Sequence, residues 1–322
     1  MQKNIIKYVV PCVLFLSLQI IFFGCIKKSK WILKTDIPTA RLGHAACVLD
    51  GKIYVIGGYH IANAPGLTTV EVYDPSTDSW ETKAPMPTGR RQHALSVVNG
   101  KIYAIGGYEN YGLPGLSIVE EYDPVTDTWS KKTDMPTPRL GLATAVIDDT
   151  IYAIGGGSKV REPLTTVEAY NPVADTWIEK TDMLTARYSL SANVVNHKIY
   201  AIGGSFGSPD QILATVEEYD PITDSWLKKS DMPTPRAISP AVCIYDNKIF
   251  IIGGISGLTP LTIVEMYDPV TNTWQVLPEM NLTESRLGTI SMVGNKVYLI
   301  GGALTVKPPH PAVATMEMYE IQ

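Results

Sequence analysis

Arginine and glutamate recur through this sequence at a nearly constant spacing, which makes them the first residues to consider for chemistry. An arginine returns every 48 to 50 residues, and a glutamate follows 29 to 31 residues after each one. The six arginines are Arg41, Arg90, Arg139, Arg187, Arg236 and Arg286. The six glutamates are Glu71, Glu120, Glu168, Glu217, Glu265 and Glu317. A guanidinium group offers a fork of donors that fits a carboxylate, on a glutamate of the chain or on a ligand.

The two sets of charges lead to different expectations. Partly buried carboxylates persist mainly when they are paired, and periodic arginines are at hand, so the glutamates are expected to be structural. For the arginines two roles stay open, because the same fork serves an internal ion pair and the recognition of an acidic ligand.

A second group of polar and aromatic residues does not recur, and it is therefore a better pointer to a specific site. Its members follow the first two Gly-Gly pairs of the chain or stand next to a recurring arginine. They are Tyr59, His60, Arg91, Tyr108, Asn110 and Tyr111. Such a cluster could stack on a sugar ring or hold a peptide, and variable loops on a rigid scaffold usually carry binding. We predict a binding site made of this group and the six arginines.

Histidine and cysteine give no pattern typical of catalysis or metal binding. The five histidines do not form a His-Glu-x-x-His spacing, and neither a Gly-x-Ser-x-Gly elbow nor a phosphate loop is present. Cys47 and Cys243 occupy matching places in distant parts of the chain, and we interpret them as buried thiols. The sequence therefore favours a protein that is not an enzyme and uses neither a cofactor nor a metal.

A seven-residue phrase, Lys52 to Gly58, shows what must position these residues. It ends in a Gly-Gly doublet and returns five more times, so that the first glycines of the doublets lie 48 to 50 residues apart. They are Gly57, Gly106, Gly155, Gly203, Gly253 and Gly301. A fixed period near 50 residues indicates a repeat architecture of a single domain.

One repeat contains the signals of four short antiparallel strands. A small and apolar run from Leu42 to Leu49 reaches Asp50-Gly51, a pair that suits a tight hairpin, and Lys52 to Ile56 forms the second strand. A variable loop leads to a third strand at residues 68–73, and a turn that begins Asp74-Pro75 leads to a fourth at residues 79–83. Four such strands per repeat predict one blade of a β-propeller.

The combination of a glycine doublet, Val-Glu-x-Tyr, Asp-Pro and a following tryptophan resembles the kelch repeat. The resemblance covers residues 31–322 in six copies and implies an all-β, six-bladed propeller. It also implies that the six arginines lie at the mouth of the channel, where arginines of some family members bind acidic peptides. Exported kelch sialic-acid epimerases, which likewise have six blades, suggest an alternative as a carbohydrate-active enzyme.

The last repeat stops at Tyr319 to Gln322, before any Asp-Pro turn or tryptophan. Trp31 stands unpaired at the other end of the domain, 49 residues before Trp80, and opens a segment like the other fourth strands. We therefore predict that this N-terminal strand completes the last blade and closes the ring.

Residues 1–25 are expected to be a signal peptide or a membrane anchor, and residues 26–30 a short linker. An uncharged run from Tyr8 to Gly24 is flanked by lysines on both sides, which leaves its orientation open. The sequence up to Cys25 resembles a bacterial lipoprotein signal, in which that cysteine is lipidated. The predicted location is attached to a membrane or exported.

The formal net charge of −5, without a basic tract, argues against nucleic acid as a partner. The leading hypothesis is a monomeric binding module that recognises a protein segment or a glycan on its loops.

Overall fold

The computed structural model describes residues 31–61, 64–160, 162–207, 211–237, 241–256, 259–277, 288–303 and 311–321. Every regular element within these ranges is a β-strand, so the predicted all-β class is confirmed. No helix in these ranges is long and apolar enough to cross a membrane. Residues 1–25, Cys25 among them, and residues 26–30 lie outside the described part, and their assignment stays a prediction.

Six four-stranded antiparallel sheets form the blades, in the order of the chain. β1 (Ile32–Lys34) comes first but belongs to the last blade. Blade 1 contains β2 (Ala45–Leu49), β3 (Lys52–Ile56), β4 (Val70–Asp74) and β5 (Ser79–Lys83). Blade 2 contains β6 (Ala94–Val98), β7 (Lys101–Ile105), β8 (Val119–Asp123) and β9 (Thr128–Lys131). Blade 3 contains β10 (Ala143–Ile147), β11 (Thr150–Ile154), β12 (Val167–Asn171) and β13 (Thr176–Lys180).

Blades 4 and 5 each carry a small extra hairpin after the glycine doublet. Blade 4 contains β14 (Ser191–Val195), β15 (Lys198–Ile202), the extra pair β16 (Ser205–Phe206) and β17 (Gln211–Ile212), β18 (Val216–Asp220) and β19 (Ser225–Lys228). Blade 5 contains β20 (Ala241–Tyr245), β21 (Lys248–Ile252), the extra pair β22 (Ile255–Ser256) and β23 (Thr259–Pro260), β24 (Val264–Asp268) and β25 (Thr273–Leu277). Blade 6 contains β26 (Thr289–Val293), β27 (Lys296–Ile300), β28 (Met316–Glu320) and β1.

The ring closes as predicted, through the N-terminal strand. β1 pairs antiparallel with β28, with Leu33 opposite Glu317, and the strand order of the blade is β1-β28-β27-β26. Trp31 is 9% exposed, and its ring centroid lies 5.6 Å from that of Tyr319. Closure leaves the sixth sheet with as many strands as the other five.

The hairpin and strand signals of the repeat place the elements correctly, with small differences at their ends. Asp50 and Gly51 have φ angles of 51° and 73°, as a tight hairpin with two left-handed residues requires. The first strand begins at Ala45 and not at Leu42, because Leu42 pairs separately with Tyr59 across the doublet loop.

The core lies between successive blades, because each sheet buries one face against the next. Tyr73 of β4 is fully buried between Trp80 of its own blade, at 5.1 Å, and Tyr298 of blade 6, at 5.8 Å between ring centroids. The same arrangement of aromatic rings recurs around Tyr122, Tyr170, Tyr219 and Tyr267. The recurring tyrosines and tryptophans are therefore explained by packing.

The first strand of each blade is the innermost, and these six strands contact one another around a central channel. The propeller consequently has two unlike faces. We call the side where the innermost strands begin and the doublet loops leave the loop face. The opposite side, with the hairpins such as Asp50-Gly51 and the Asp-Pro turns, is the turn face.

Candidate functional site

The loop face is built from two segments of each blade that are held together by backbone pairing. In blades 1 to 5 the residue after the recurring arginine forms a bridge with the residue after the doublet, as Leu42 does with Tyr59 and Arg91 with Tyr108. In blade 1 both backbone N–H groups donate across the bridge, at 3.0 and 2.9 Å. The variable loops are therefore fixed at their base.

The glycine doublets of blades 1, 2, 3, 4 and 6 also carry the contact to the following blade. Gly58 N donates to the Arg90 carbonyl at 3.0 Å, and Gly107 N donates to the Arg139 carbonyl at 2.8 Å. A Cβ on Gly106 would lie 2.6 Å from that carbonyl oxygen, and the φ of Gly106 is 65°. Glycine is needed here for both its left-handed backbone and the close approach.

The recurring arginines form ion pairs inside the blades. Arg41, Arg90, Arg139, Arg187 and Arg236 are each 0% exposed. Arg139 Nη2 lies 2.5 Å from Glu168, and its Nη1 donates to the carbonyls of Gly155 and Thr166 at 3.0 and 2.9 Å. The other four pair in the same way with Glu71, Glu120, Glu217 and Glu265.

Of the two roles left open for these arginines, the contacts are those of the structural one. Burial lowers the pKa of each guanidinium and its glutamate raises it again. With no exposed surface and their carboxylate partners within the chain, these five side chains do not face the channel mouth as donors. Arg286, the sixth, lies outside the described residues.

Arg91 has a quite different environment from its neighbour Arg90. It occupies the place that Leu42, Leu140 and Ala237 hold in other blades, and it is 1% exposed. Its guanidinium carbon lies 4.3 Å from the ring centroid of Tyr59 and 4.7 Å from that of Tyr108. We call this arrangement the Tyr-Arg-Tyr stack.

The guanidinium group in the stack keeps unused donors. Neither Nε nor Nη2 of Arg91 has a hydrogen-bond acceptor among the described residues. Burial raises the pKa of Tyr59 and that of Tyr108, the latter to about 12, and the charge of Arg91 opposes the rise. Both phenols stay neutral at physiological pH, so no anion of the chain neutralises this cation within the stack.

The remaining members of the predicted cluster lie around the stack and not in it. His60 is exposed, with Nδ1 2.8 Å from the Ala40 carbonyl oxygen. Asn110 and Tyr111 stand at the exposed tip of the blade 2 loop, where Tyr111 is 63% exposed. The structure thus brings together Tyr59, Arg91 and Tyr108 from the sequence prediction.

A cavity of about 100 Å³ opens beside the stack at the mouth of the channel. It is lined by residues of five blades: Leu42, Gly43, His44, Tyr59, Gln92, His93, Gly141, Leu142, Ser189, Leu190 and Thr289. A chain of backbone hydrogen bonds runs along its wall, from Gln92 N to Gly43 O, Gly141 N to Gln92 O and Ser189 N to Gly141 O, at 2.9, 2.8 and 2.7 Å. Of these residues only Tyr59 was a predicted site residue, although Gly43, Gln92, Gly141 and Ser189 each follow a recurring arginine by two residues.

His44 and His93 border this cavity in places where blades 3 and 4 have Leu142 and Leu190. Both are 6% exposed, and neither makes a ring hydrogen bond of normal geometry. Burial and then the charge of Arg41 lower the pKa of His44 to about 3. Burial and then Arg90 lower the pKa of His93 in the same way. Both imidazoles are therefore neutral.

The described ranges contain no candidate metal-binding site. No group of three or more histidine, cysteine, aspartate or glutamate side chains there could hold a metal ion. Burial raises the pKa of Cys47 to about 12 and that of Cys243 to about 11, which fits inert thiols.

Comparisons with known proteins agree with this architecture. The family model described as the KLHDC2/KLHL20/DRC7 Kelch-repeats domain matches residues 19–156 and again residues 132–302, which together are most of the chain. A stretch of 51 residues is 35% identical to an F-box/kelch-repeat protein of Arabidopsis thaliana, and it spans 16% of this chain and 13% of that relative. The solved structure of YjhT superposes with a TM-score of 0.77 at 16% identity, covering 90% of this chain and 97% of its own. At that identity the likeness concerns the fold alone.

Proposed function

Because the chain belongs to the kelch-repeat family, we propose that it is a binding module that recognises a protein segment through its loop face. Residues 1–25 attach it to a membrane or export it. In this proposal the scaffold positions variable loops, and the ligand contacts the loop side of the channel mouth.

The observation that carries the proposal is the Tyr-Arg-Tyr stack. A buried cation with unused donors is costly unless a partner supplies an anion. Arg91 is 1% exposed, so a carboxylate on a ligand would reach Nε and Nη2 by displacing one of the covering tyrosine rings. A charge-assisted bond of this kind contributes about 1.5–3 kcal/mol. The stack therefore favours an acidic side chain or a terminal carboxylate on the bound segment.

Exposed apolar side chains on the same face add a second requirement for the ligand. Ile61, Leu113 and Phe206, each in a loop after a glycine doublet, are 55%, 44% and 42% exposed. A segment with an acidic residue between apolar ones would contact both the loops and the stack, and burial of apolar surface would add to its affinity.

A peptide array probed with the full chain and with Arg91→Leu tests this proposal. Leucine is the residue that stands in the matching place of blades 1 and 3, so the variant should fold. We expect acidic peptides to bind the parent chain. We expect them to bind the variant with an affinity roughly tenfold to a hundredfold lower. Equal binding of both proteins would remove Arg91 from the site.

Two further variants separate recognition from folding. Ile222→Ser, on the turn face, should leave peptide binding unchanged. Arg90→Leu should lower the free energy of unfolding by about 3–5 kcal/mol, because it leaves Glu120 buried without its partner. A loss of binding by Arg91→Leu without such a fall in stability would assign the effect to the ligand.

The pair of neutral histidines favours one alternative, a carbohydrate-active enzyme. His44 and His93 border a single cavity, and their ring nitrogens, which lack a hydrogen bond of normal geometry within the described residues, could accept from and orient a sugar hydroxyl group. The test is the rate of anomer or epimer exchange of sugars and sugar acids, followed by NMR with the parent chain and with the His44→Leu/His93→Leu variant. Acceleration by the parent alone would establish catalysis, and its absence would favour binding.

A further inference from the structure

We propose that the turn face lies against the lipid surface to which residues 1–25 attach the chain, with the tips of the turns between the third and fourth strands of blades 2 to 5 in contact with lipid. This proposal rests on the membrane attachment stated under the proposed function, but not on the identity of the ligand. It concerns a second surface of the propeller, opposite the Tyr-Arg-Tyr stack.

The position of β1 fixes where the N-terminal segment joins the propeller. In blades 1 to 5 a turn on the turn face connects the third strand to the fourth. It begins Asp-Pro in blades 1, 2, 4 and 5, and Asn171-Pro172 in blade 3. In blade 6 the third strand ends at Glu320 and the fourth begins at Ile32, so the chain enters β1 at the place of the sixth turn. Trp31 packs against Tyr319 at this end, and Ile321 N donates to the Asn295 carbonyl of the neighbouring hairpin at 2.8 Å.

The connection between the attachment segment and the turn face is short. The uncharged run ends at Gly24, and only residues 25–30 separate it from Trp31. Six extended residues reach at most about 20 Å. A five-residue strand alone rises about 17 Å, so most of this reach would be used in doubling back to the loop face. The connection therefore favours the turn face, where it starts, as the face next to the membrane.

Four of these five turns present an aliphatic side chain at the residue after the proline. Val125, Val173, Ile222 and Val270 are 92%, 84%, 87% and 80% exposed. They belong to blades 2, 3, 4 and 5, while blade 1 has Ser76 in this place. Single exposed aliphatic residues are common, but here the same position in consecutive blades gives contacts distributed around one face.

The carboxylates of these turns have partners within the chain, which lowers their cost near lipid. Asp123 pairs with Lys101 at 3.7 Å and Asp220 with Lys198 at 3.5 Å. Asp127 and Asp224 accept hydrogen bonds from the tyrosine hydroxyls of their own blades, each at 2.6 Å. A zwitterionic phospholipid surface therefore fits this face better than an anionic one, since the turns carry no excess of free cations.

One consequence concerns access to the candidate site. With the turn face on the membrane, the stack and the exposed loops after the doublets face away from it. A protein segment could then reach Arg91 without approaching the lipid.

The test places an NBD label on single cysteines introduced into the full chain, which is reconstituted with phosphatidylcholine vesicles that contain brominated acyl chains. Val173→Cys reports on the turn face, and Leu184→Cys reports on the opposite end of the same blade, where Leu184 is 60% exposed. Leu33 on β1 is 69% exposed, on the outermost strand of blade 6. A label at Leu33→Cys would therefore be quenched if the propeller contacted the membrane with this outer edge. The labelled parent chain supplies the background from native cysteines.

We expect quenching by brominated lipid to be several times larger at Val173→Cys than at Leu184→Cys. Quenching at Leu33→Cys without quenching at Val173→Cys would show the edge orientation and overturn the proposal. No quenching at any position would show that the propeller does not contact the lipid surface, and this result would also overturn the proposal.

Flotation of the full chain with the vesicles is measured first. A chain that stays in the aqueous fraction would contradict the membrane attachment, and the orientation with it, but would leave peptide binding to the loop face intact. A Val125→Asp/Val173→Asp/Ile222→Asp variant labelled at Val270→Cys should still float, and it should lose most of the quenching.

Discussion

Two adjacent arginines show how strongly position decides the role of a side chain in this propeller. Arg90 turns into blade 2 and meets Glu120, while Arg91 turns to the loop face and lies between two tyrosine rings. Both are almost fully buried. Only the second keeps donors for a partner, so burial alone does not separate structure from recognition here.

The buried histidines at the channel mouth should make the protein sensitive to acid. The folded-state pKa of His44 is about 3, below the ordinary value of 6.5, so the unfolded chain binds more protons between these values. Stability is therefore complete above pH 6.5 and is lost as the pH falls towards 3. At pH 5 the loss from this residue amounts to about 2 kcal/mol.

Replacement by the leucine of blades 3 and 4 should remove this effect. We expect His44→Leu/His93→Leu to lose less of its free energy of unfolding than the parent when the pH is lowered from 7.5 to 5. Urea unfolding at the two pH values measures the difference. An identical loss in both proteins would mean that the imidazoles are protonated in the folded state.

The element that joins neighbouring blades is the Asp-Pro turn. Asp127, at its end, accepts from the Tyr122 hydroxyl of its own blade at 2.6 Å and from Ala84 N of the segment leaving blade 1 at 2.8 Å. Its φ is 54°, a left-handed value. In blade 5 an asparagine, Asn272, makes the equivalent bonds to Tyr267 and Ser230.

Substitutions at Asp127 should follow this geometry. Asp127→Ala should lower the free energy of unfolding by about 2–4 kcal/mol, because two hydrogen bonds are lost and alanine is strained at a positive φ. Asp127→Asn should cost less than about 1 kcal/mol, since asparagine keeps the acceptor and tolerates this backbone. Chemical denaturation of both variants gives the comparison, and equal losses would contradict the assigned role of the turn.

The strands of the blades could be predicted well from the sequence, because every blade repeats the same short turn and strand motifs. Asp50-Gly51, the doublet at Gly57 and the Asp-Pro turns predict the strands correctly, and the blade count follows from their period. The start of the first strand was less predictable, since the pairing of Leu42 with Tyr59 depends on the course of a variable loop.

The whole molecule depends on blade 6, which is assembled from both ends of the propeller. Its closing strand has three residue pairs with β28, whereas β12 and β13 in blade 3 have five. Trp31 is buried in that closure, packed against Tyr319 and the core between blades 5 and 6, whereas Ile32 and Leu33 are 50% and 69% exposed.

Trp31→Ala should therefore destabilise the whole ring. We expect a loss of about 3–5 kcal/mol in the free energy of unfolding, as for other large buried aromatic residues. Leu33→Ala, on the exposed side of the same strand, should change stability by less than about 0.5 kcal/mol. Hydrogen exchange of the β28 amides should accelerate in the first variant, and protection equal to that of the parent would show that closure does not need the tryptophan.

The candidate site was only partly predictable from the sequence, because its residues come together only when the whole ring has formed. Tyr59, Arg91 and Tyr108 stood out because they break the repeat, and the structure brings them together. The sequence predicted structural glutamates with the recurring arginines as available partners, but the assignment of each arginine to the glutamate about 30 residues later needed the register of the blade. The cavity could not be foreseen, because His44, Gln92, Ser189 and Thr289 come from four blades that meet only when the ring closes.

The composition of blade 6 also sets the order of events during synthesis. β1 leaves the ribosome before any other strand of the propeller, yet its partner β28 is the last to be made. Roughly 280 residues separate them, so at 5–20 residues per second translation leaves the closing strand without its partner for about 15–55 s. Blades 1 to 5 can form in that interval, whereas the ring must wait for the final residues of the chain.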